Sequence, residues 1–401
     1  MAPFGLNLVS GLLMIHGLWG LVRSGSGSFP LQRTQLAPLS MKSSTLSEQL
    51  VNVVMGSPLR GPIVRVARNT MVKTAVNAGL PWESLASRLV EAMGGNEAIE
   101  QRVRELVASD GVTCPDYFQQ SFHGYDLGNL EYMAAVEQEL AGKAVGARNF
   151  PQSGLKGEEI LRNSYGREIE ELCGRSIFNL PASSLVVDLG CGTGTSSRYL
   201  ARLFPTAKIM GIDLSPYMVE VGRFINSGLA NEFWVDPPTE QQQRAIEIRY
   251  GDITDTKLAP ESVSVASLSL VLHELPLEAT QRVLREAARI LKPGGVLLIM
   301  EMDPSSPGYV KLRNNAALFS LLRSTEPWLD EYFDLAPRLP QMLLETGFGA
   351  VKVSAATGRH FCIAATKSGG VVDVRPSDAE RIKQDFHLNS LDQGKEVRPT
   401  L

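Results

Sequence analysis

Cysteine is scarce in this chain. Its 401 residues contain four cysteines, and no two of them form a C-x-x-C pair. Zinc sites and disulfide frameworks need cysteines at such paired or regular spacings. The sequence therefore predicts no metal site and no disulfide framework for these four residues: Cys114, Cys173, Cys191 and Cys362.

An excess of positive charge is also missing. Lysine and arginine number 39, against 43 aspartates and glutamates. Proteins that bind nucleic acid usually carry a basic patch or a strongly basic balance. We therefore predict no nucleic-acid partner.

The chain lacks an apolar run long enough to cross a bilayer, and residues 1–47 lack acidic residues. The longest run near the start, Leu8 to Val22, has 15 residues and is broken by His16 and three glycines. That length suits a signal peptide, and the small residues and hydroxyl-rich sequence after it suit a transit peptide. The combination resembles the two-part leader of algae with secondary plastids. It predicts plastid import, with a secretory signal, a membrane anchor and cytoplasmic residence as alternatives.

The most informative stretch runs from Leu185 to Asp213 and predicts a strand, a turn, a helix and a second strand. The apolar run at Leu185 contains one charged residue, Asp188, as expected of a buried parallel strand near its end. Three glycines then follow at alternate positions: Gly190, Gly192 and Gly194. Glycine permits a tight turn with positive φ and lets a ligand approach the backbone. This is a βαβ unit with a glycine loop and a carboxylate at the tip of the second strand.

The spacing of the glycines distinguishes two kinds of ligand. Dinucleotide sites prefer G-x-G-x-x-G, with the pyrophosphate at a helix N-terminus. Here the loop reads DLGCGTG, which resembles the nucleoside-binding motif of class I S-adenosylmethionine-dependent methyltransferases. The resemblance implies S-adenosyl-L-methionine as the cofactor, with Asp213 on its ribose hydroxyls. The cofactor-binding residues that it implies are Asp188, Gly190, Cys191, Gly192, Gly194, Asp213, Leu214, Asp252, Ile253 and Ser269.

Later segments extend the resemblance over residues 158–367. Asp252 and Ile253 follow the predicted third strand, at the place where the family binds adenine, and LKPGG precedes the predicted fifth strand. The alternation of strands and helices favours a doubly wound sheet. Together these features imply an α/β fold: a Rossmann-like, doubly wound, mostly parallel seven-stranded sheet with an N-terminal helical cap.

Two histidines are candidates for the chemistry. His273 lies in the sequence HELP directly after the predicted fourth strand, whose carboxyl end faces the ligand crevice of such a sheet. Methyl transfer depends mainly on positioning, but a hydroxyl or phenol acceptor gains from a general base, whereas an amine or thioether needs none. We predict His273 as the first candidate base and His360 as the second. The alternative is a structural histidine bonded to nearby backbone.

Composition and pattern predict four regions. These are a targeting leader (1–47), a helical N-terminal extension (48–157), the methyltransferase core (158–367) and a flexible tail (368–401). Aromatic and amide side chains concentrate between Pro115 and Pro151, where they are expected either to close the acceptor pocket or to pack the cap against the core. Residues 231–243 show no apolar periodicity and are expected to form a surface insertion.

The acceptor is predicted to be a small molecule. The chain lacks an Asn/Asp-Pro-Pro-aromatic motif after the fourth strand, which nucleic-acid amino-methylation needs, and HELP and RHFCIAATK resemble the ubiquinone/menaquinone and secondary-metabolite type. A plastid quinone or pigment precursor would need an apolar tunnel. A thioether such as 4-methylthio-2-hydroxybutyrate, in dimethylsulfoniopropionate synthesis, would need a cation from Arg148, Arg313 or Arg323. An NAD-dependent oxidoreductase and a noncatalytic nucleotide-binding module are the alternative classes.

Overall fold

The structure, a computed structural model, describes residues 60–369, and the side chains of residues 60–67 and 316–317 are outside that description. The predicted leader lies outside the described residues, as does the predicted tail from residue 370 onward. The described region begins with helices, continues through alternating strands and helices, and ends with two antiparallel strands.

The centre of the fold is a seven-stranded sheet of order β3-β2-β1-β4-β5-β7-β6. Strands β1 to β5 pair in parallel, whereas β7 runs antiparallel to both β5 and β6. The chain reverses direction across the sheet between β1 and β4, and such switch points leave a crevice at the carboxyl ends of the strands. The predicted fold class is confirmed. The strands are β1 Leu185–Leu189, β2 Lys208–Asp213, β3 Ile246–Tyr250, β4 Val263–Ser269, β5 Leu291–Met302, β6 Phe348–Thr357 and β7 His360–Lys367.

The sheet is buried on both faces because its central strands are apolar at successive positions. In β5, Leu297 and Ile299 pack into the apolar cluster on one face, while Leu298 and Met300 pack into the cluster on the other. Side chains alternate between the two faces of a strand, so an uninterrupted apolar run supplies both cores. The core helices are α5 Gly157–Cys173, α6 Thr195–Leu203, α7 Pro216–Asn226, α8 Glu240–Ala245 and α9 Leu277–Ile290.

An N-terminal helical cap packs against the outer side of α7. A third apolar cluster, separate from the two on the sheet, joins Trp82, Leu89 and Leu140 of the cap to Met218 and Val221 of α7. Burial of these apolar surfaces holds the cap on the core. The cap helices are α1 Arg60–Asn77, α2 Trp82–Ala92, α3 Asn96–Asp110 and α4 Tyr132–Asn149.

Among residues 60–369, no helix has the length and apolar character that crossing a membrane requires.

Four short helices precede the last two strands. The short helices are α10 Pro307–Arg313, α11 Ala316–Thr325, α12 Leu329–Leu335 and α13 Leu339–Glu345.

The prediction that residues 231–243 form a surface insertion is wrong in part. Thr239 and Gln242 form a capping box that starts α8. Trp234 is buried, and its indole N–H donates to Glu139 of the cap at 2.7 Å. A six-residue helix is too short to show apolar periodicity, and the partner of Trp234 lies 95 residues away in sequence.

Candidate active site

The candidate site lies at the carboxyl edge of the sheet, around the switch point between β1 and β4. The glycine loop follows β1, and Asp213 ends β2. A short 3-10 turn, Leu272–Glu274, follows β4, and Glu301 lies near the end of β5. Because these strands are parallel, their ends bring residues distant in sequence to one edge.

The glycine loop adopts the backbone conformation that its composition predicts. Gly190, Gly192 and Gly194 have φ angles of 75°, 55° and 93°, a region that side chains disfavour. The amide of Gly190 donates to the Ile212 carbonyl at 2.8 Å, which ties the loop to β2. A Cβ on Gly192 would lie 2.2 Å from Nε2 of Gln138, so a larger residue there would displace the Gln138 amide group.

Asp213 faces the loop from the end of β2. Its Oδ2 accepts from the Gly192 amide and its Oδ1 from the Ser215 amide, both at 2.8 Å. Burial raises the pKa of this carboxyl group to about 6. A carboxylate has about four lone-pair sites, so both oxygens can still accept hydrogen bonds from a vicinal diol.

Two other predicted cofactor residues have their side chains engaged inside the protein. Asp188 is fully buried, and its Oδ2 accepts from the hydroxyls of Ser196 and Ser197, both at 2.6 Å. Its Oδ1 has no hydrogen-bond partner within residues 60–369. The Cys191 side chain is buried against β2, since a Cβ on Gly211 would lie 2.7 Å from its Sγ. Asp188 therefore fixes the start of α6, while Cys191 packs away from the loop.

The predicted adenine-binding residues lie beside the cap. Asp252 accepts from the Thr254 amide at 2.7 Å, and Ile253 is buried in the core. Burial and the negative charge of Asp252 raise the pKa of Tyr117 to about 12, which places this cap residue close to Asp252. Leu214 is also buried.

Ser269, the last predicted cofactor residue, ends β4. Its hydroxyl accepts from Arg162 of α5 at 3.1 Å. Arg162 and Lys143 also flank Glu158, at 3.1 and 3.0 Å. Ser269 thus belongs to a polar network that joins α4 and α5 to the sheet.

His273 forms a buried pair with Glu301. The Nδ1 atom lies 2.9 Å from Oε2 and 3.1 Å from Oε1 of Glu301, which also accepts from the Leu272 amide. Burial alone would lower the pKa of His273, but the Glu301 carboxylate raises it to about 10. Since Nδ1 is held by Glu301, Nε2 is the ring atom that faces other groups, and it lies 4.0 Å from Oε1 of Glu274.

Glu274, His123 and Glu326 extend this pair into a cluster of titratable groups. His123 Nε2 lies 2.9 Å from Oε1 of Glu326, and the His123 amide donates to the Thr325 carbonyl at 3.0 Å. Burial raises the pKa of Glu274 to about 7, and its charged neighbours include His123, His273, Glu326 and Asp213. The His123 side chain is 42% exposed although these groups surround it. The cluster therefore reaches solvent at His123.

His360, the second candidate base, has a different environment. It begins β7 opposite Met302, and its Nδ1 lies 2.7 Å from the Thr357 hydroxyl. Burial lowers its pKa to about 4, so it stays neutral at physiological pH. His273 has a carboxylate partner, and its raised pKa makes it a cation near neutral pH, so it suits a hydrogen-bond donor rather than the predicted base.

The arginines suggested for a carboxylate acceptor lie near aromatic side chains of the segment before the last two strands. Arg323 pairs with Asp330 at 2.5 Å, and the Arg313 guanidinium lies 5.6 Å from the centre of the Phe333 ring. Arg148 is near the end of α4, within electrostatic range of Tyr309 and Arg359. The rings of Phe319 and Tyr309 each lie 5.8 Å from that of Phe333, and Arg323 lies over Phe319, so one aromatic cluster connects the three arginines.

Comparison with known proteins identifies the core. The family described as "Methyltransferase domain" matches residues 187–299, which run from β1 into β5 and include the glycine loop, Asp213 and His273. This region is similar to a methyltransferase domain. The match agrees with the predicted enzyme class and with its cofactor, S-adenosylmethionine.

Relatives of the methyltransferase domain include enzymes with different acceptors. Acetylserotonin O-methyltransferase of Mus musculus is 26% identical over 240 residues, which cover 57% of each chain. Demethylmenaquinone methyltransferase of Listeria monocytogenes is 27% identical over 187 residues, 43% of this chain and 73% of that protein. The chain thus spans little more than half the length of the first relative. Human N-acetylserotonin methyltransferase, solved with S-adenosylmethionine, is 18% identical with a TM-score of 0.38 over 70% of each chain.

The residues present fit S-adenosylmethionine. The glycine loop has no side chain at positions 190, 192 and 194, and the Asp213 carboxylate can accept from ribose hydroxyls. Asp213 and Glu274 also place negative charge around the cleft. This charge favours a cationic sulfonium and disfavours a pyrophosphate.

Sequence reasoning missed Glu301, Glu274 and Gln138 as functional residues. Glu301 could have been found by the rule that selected Asp213 and His273, because it too lies at the end of a core strand. Glu274 is adjacent to His273 in the sequence. Gln138 carries no local signal, since it is one polar residue on a cap helix.

Proposed function

We propose that this protein transfers a methyl group from S-adenosylmethionine to the hydroxyl oxygen of a small molecule. The observation that carries the proposal is the buried His273–Glu301 pair beside Glu274, at the end of β4. Such a positioned set of acid-base groups serves an acceptor that must lose a proton. A thioether acceptor has no proton to lose and would not need these acid-base groups.

The chemistry divides between these residues. Bound S-adenosylmethionine supplies an electrophilic methyl group, and the new O–C bond forms as the C–S bond breaks. Glu301 fixes the His273 ring and stabilises its protonated form, which donates a hydrogen bond to the acceptor oxygen as negative charge develops there. Glu274, with a pKa of about 7, accepts the hydroxyl proton and later releases it to water.

The cap supplies the other wall of the cleft. His123 and Glu326 come from the cap and from the segment after α11, and both lie within electrostatic range of His273. Closure of the acceptor pocket by the segment between Pro115 and Pro151 stays a prediction, with packing of the cap against the core as its alternative. The likeness to acetylserotonin O-methyltransferase gives further support to an oxygen acceptor.

The direct test is product identification with the full chain. The protein is incubated with methyl-labelled S-adenosylmethionine and, in separate reactions, with phenols, aliphatic alcohols, quinols and 4-methylthio-2-hydroxybutyrate. We expect labelled methyl ethers from at least one hydroxyl class. A labelled sulfonium from the thioether, with no ether product, would contradict the proposal and support the dimethylsulfoniopropionate alternative.

We also propose that the protein acts in a plastid, on the strength of the acid-free residues 1–47. The test fuses these residues to a fluorescent protein in an alga with secondary plastids. Plastid fluorescence is expected. Secretion of the fusion, or its retention in the cytosol, would contradict the proposal.

A further inference from the structure

Gln138 of the cap helix α4 lies directly over the glycine loop. Its Oε1 accepts from the backbone amide of Thr193 at 2.7 Å and from the Thr193 hydroxyl at 2.8 Å. A Cβ on Gly192 would lie 2.2 Å from the Gln138 Nε2. This amide group therefore covers the residue of the loop that has least room for a side chain.

The bonds to Thr193 fix the orientation of the amide group. A backbone N–H can only donate, so the oxygen of Gln138 must face Thr193 and the NH2 group must point away from it. Within the described part of the chain, Nε2 has no hydrogen-bond acceptor, and Gln138 is only partly buried. A fixed amide donor is thus exposed beside Gly192.

Several carboxyl groups lie near this amide donor. Glu139, the next residue, is committed to Arg198 and Trp234, both at 2.7 Å. Asp188 and Asp213 border the loop with two further carboxyl groups. A ligand carboxylate placed here would be repelled by these groups unless a donor met it. The amino-acid portion of S-adenosylmethionine carries such a carboxylate.

We propose that Gln138 donates a hydrogen bond from Nε2 to the carboxylate of the cofactor's amino-acid portion. Gln138 then selects ligands that retain the amino acid, and it contributes this contact from the cap, outside the methyltransferase domain. The proposal rests on the proposed function, because it assumes S-adenosylmethionine in the glycine loop. The proposed contact depends on the Nε2 atom of Gln138 alone.

The test compares two ligands that differ in the amino-acid portion. S-adenosylhomocysteine carries it, and 5′-methylthioadenosine does not. Dissociation constants are measured by calorimetry for the full-length wild type, Gln138→Ala and Gln138→Glu. The Glu variant keeps an oxygen acceptor for Thr193 but replaces the donor with an acceptor. Gln101→Ala, an exposed glutamine bonded to Glu105 on cap helix α3, is the matched control.

We expect both Gln138 variants to bind S-adenosylhomocysteine about 10- to 100-fold more weakly, the range for a hydrogen bond to a charged group. Binding of 5′-methylthioadenosine should change less than about threefold, which also shows that the variants are folded. Equal losses for both ligands, or no loss for either, would overturn the role of Gln138 and leave the proposed function intact. Failure of the wild type to bind either ligand would instead refute the proposed function.

Discussion

The surroundings of each carboxyl group determine its task. Burial would raise the pKa of Glu158, but the charges of Arg162 and Lys143 lower it to about 2, so it is a permanent anion. Burial raises the pKa of Asp213 to about 6 and that of Glu274 to about 7. Under the proposed function, these three carboxyl groups would serve as a structural anion, a ligand acceptor and a proton acceptor.

The His273–Glu301 pair gives the first prediction. His273→Gln removes the cationic donor, and we expect kcat to fall about 10²- to 10⁴-fold, the usual range for a positioned acid-base group. Glu301→Gln should lower kcat by a smaller factor, because the imidazole ring of His273 keeps its place. Steady-state kinetics measure the fall in kcat. Calorimetry is expected to show unchanged binding of S-adenosylhomocysteine. A comparable loss in His360→Gln but not in His273→Gln would assign the chemistry to the other histidine.

Glu274 predicts how the rate depends on pH. Its carboxyl group ionises as the pH rises through about 7, and only the ionised form accepts a proton. We expect the rate at saturating acceptor to increase from pH 6 to pH 8 with a midpoint near 7. The profile of Glu274→Gln should be low and flat. A wild-type rate that does not change over this range would contradict the role of Glu274.

Asp213 predicts how cofactor binding depends on pH. Its pKa of about 6 means that the carboxylate is protonated as the pH falls below 6, and then it loses acceptor sites for the ribose. Affinity for S-adenosylhomocysteine should be highest above pH 7 and fall roughly tenfold by pH 5. Calorimetry at several pH values measures this. Asp213→Asn should bind weakly throughout, and a pH dependence that survives in that variant would exclude Asp213 as its source.

At the scale of elements, helix α4 connects three parts of the protein through consecutive residues. Glu137 accepts from Trp82 of α2 and from Tyr125, while Gln138 holds Thr193 of the glycine loop. Glu139 holds Arg198 of α6. The cap is therefore bonded to the cofactor loop as well as packed against the core.

Removing the Glu139 contact should destabilise this assembly. Both partners of the Glu139–Arg198 pair are almost fully buried, with side chains 2% and 4% exposed. Glu139→Ala leaves the guanidinium unpaired, and we expect the free energy of unfolding to fall by about 3–5 kcal/mol in urea denaturation. The control is Glu247→Ala, whose pair with Arg249 is exposed and should contribute about 0–1 kcal/mol. Similar losses in both variants would contradict the importance of the buried pair.

Sequence patterns predicted elements best where each element is long and its period is clear. Strands β1 and β2 lie at the two ends of the stretch from Leu185 to Asp213, as predicted. Helix α8 was missed because its capping box starts only six helical residues. Local signals fail when an element is shorter than about two periods of the pattern that identifies it.

At the scale of the whole molecule, ligand binding should stabilise the fold. At one hundred times its dissociation constant, S-adenosylhomocysteine should raise the free energy of unfolding by about 2.7 kcal/mol. The melting temperature should rise by roughly 5 °C. Differential scanning fluorimetry measures the shift, with NAD at the same concentration as the control. Stabilisation by NAD alone would favour the oxidoreductase alternative.

By itself, the sequence determined the fold class, the cofactor class and the residues at strand ends, Asp213 and His273 among them. These features depend on residues that are close in sequence, because a glycine loop and its flanking strands encode their own geometry. Only the tertiary structure decided the partners of those residues. His273 and Glu301 are 28 positions apart, and Gln138 and Thr193 are 55 apart. Such pairs form because parallel strands end at one edge and the cap folds over it, and no local pattern records that arrangement.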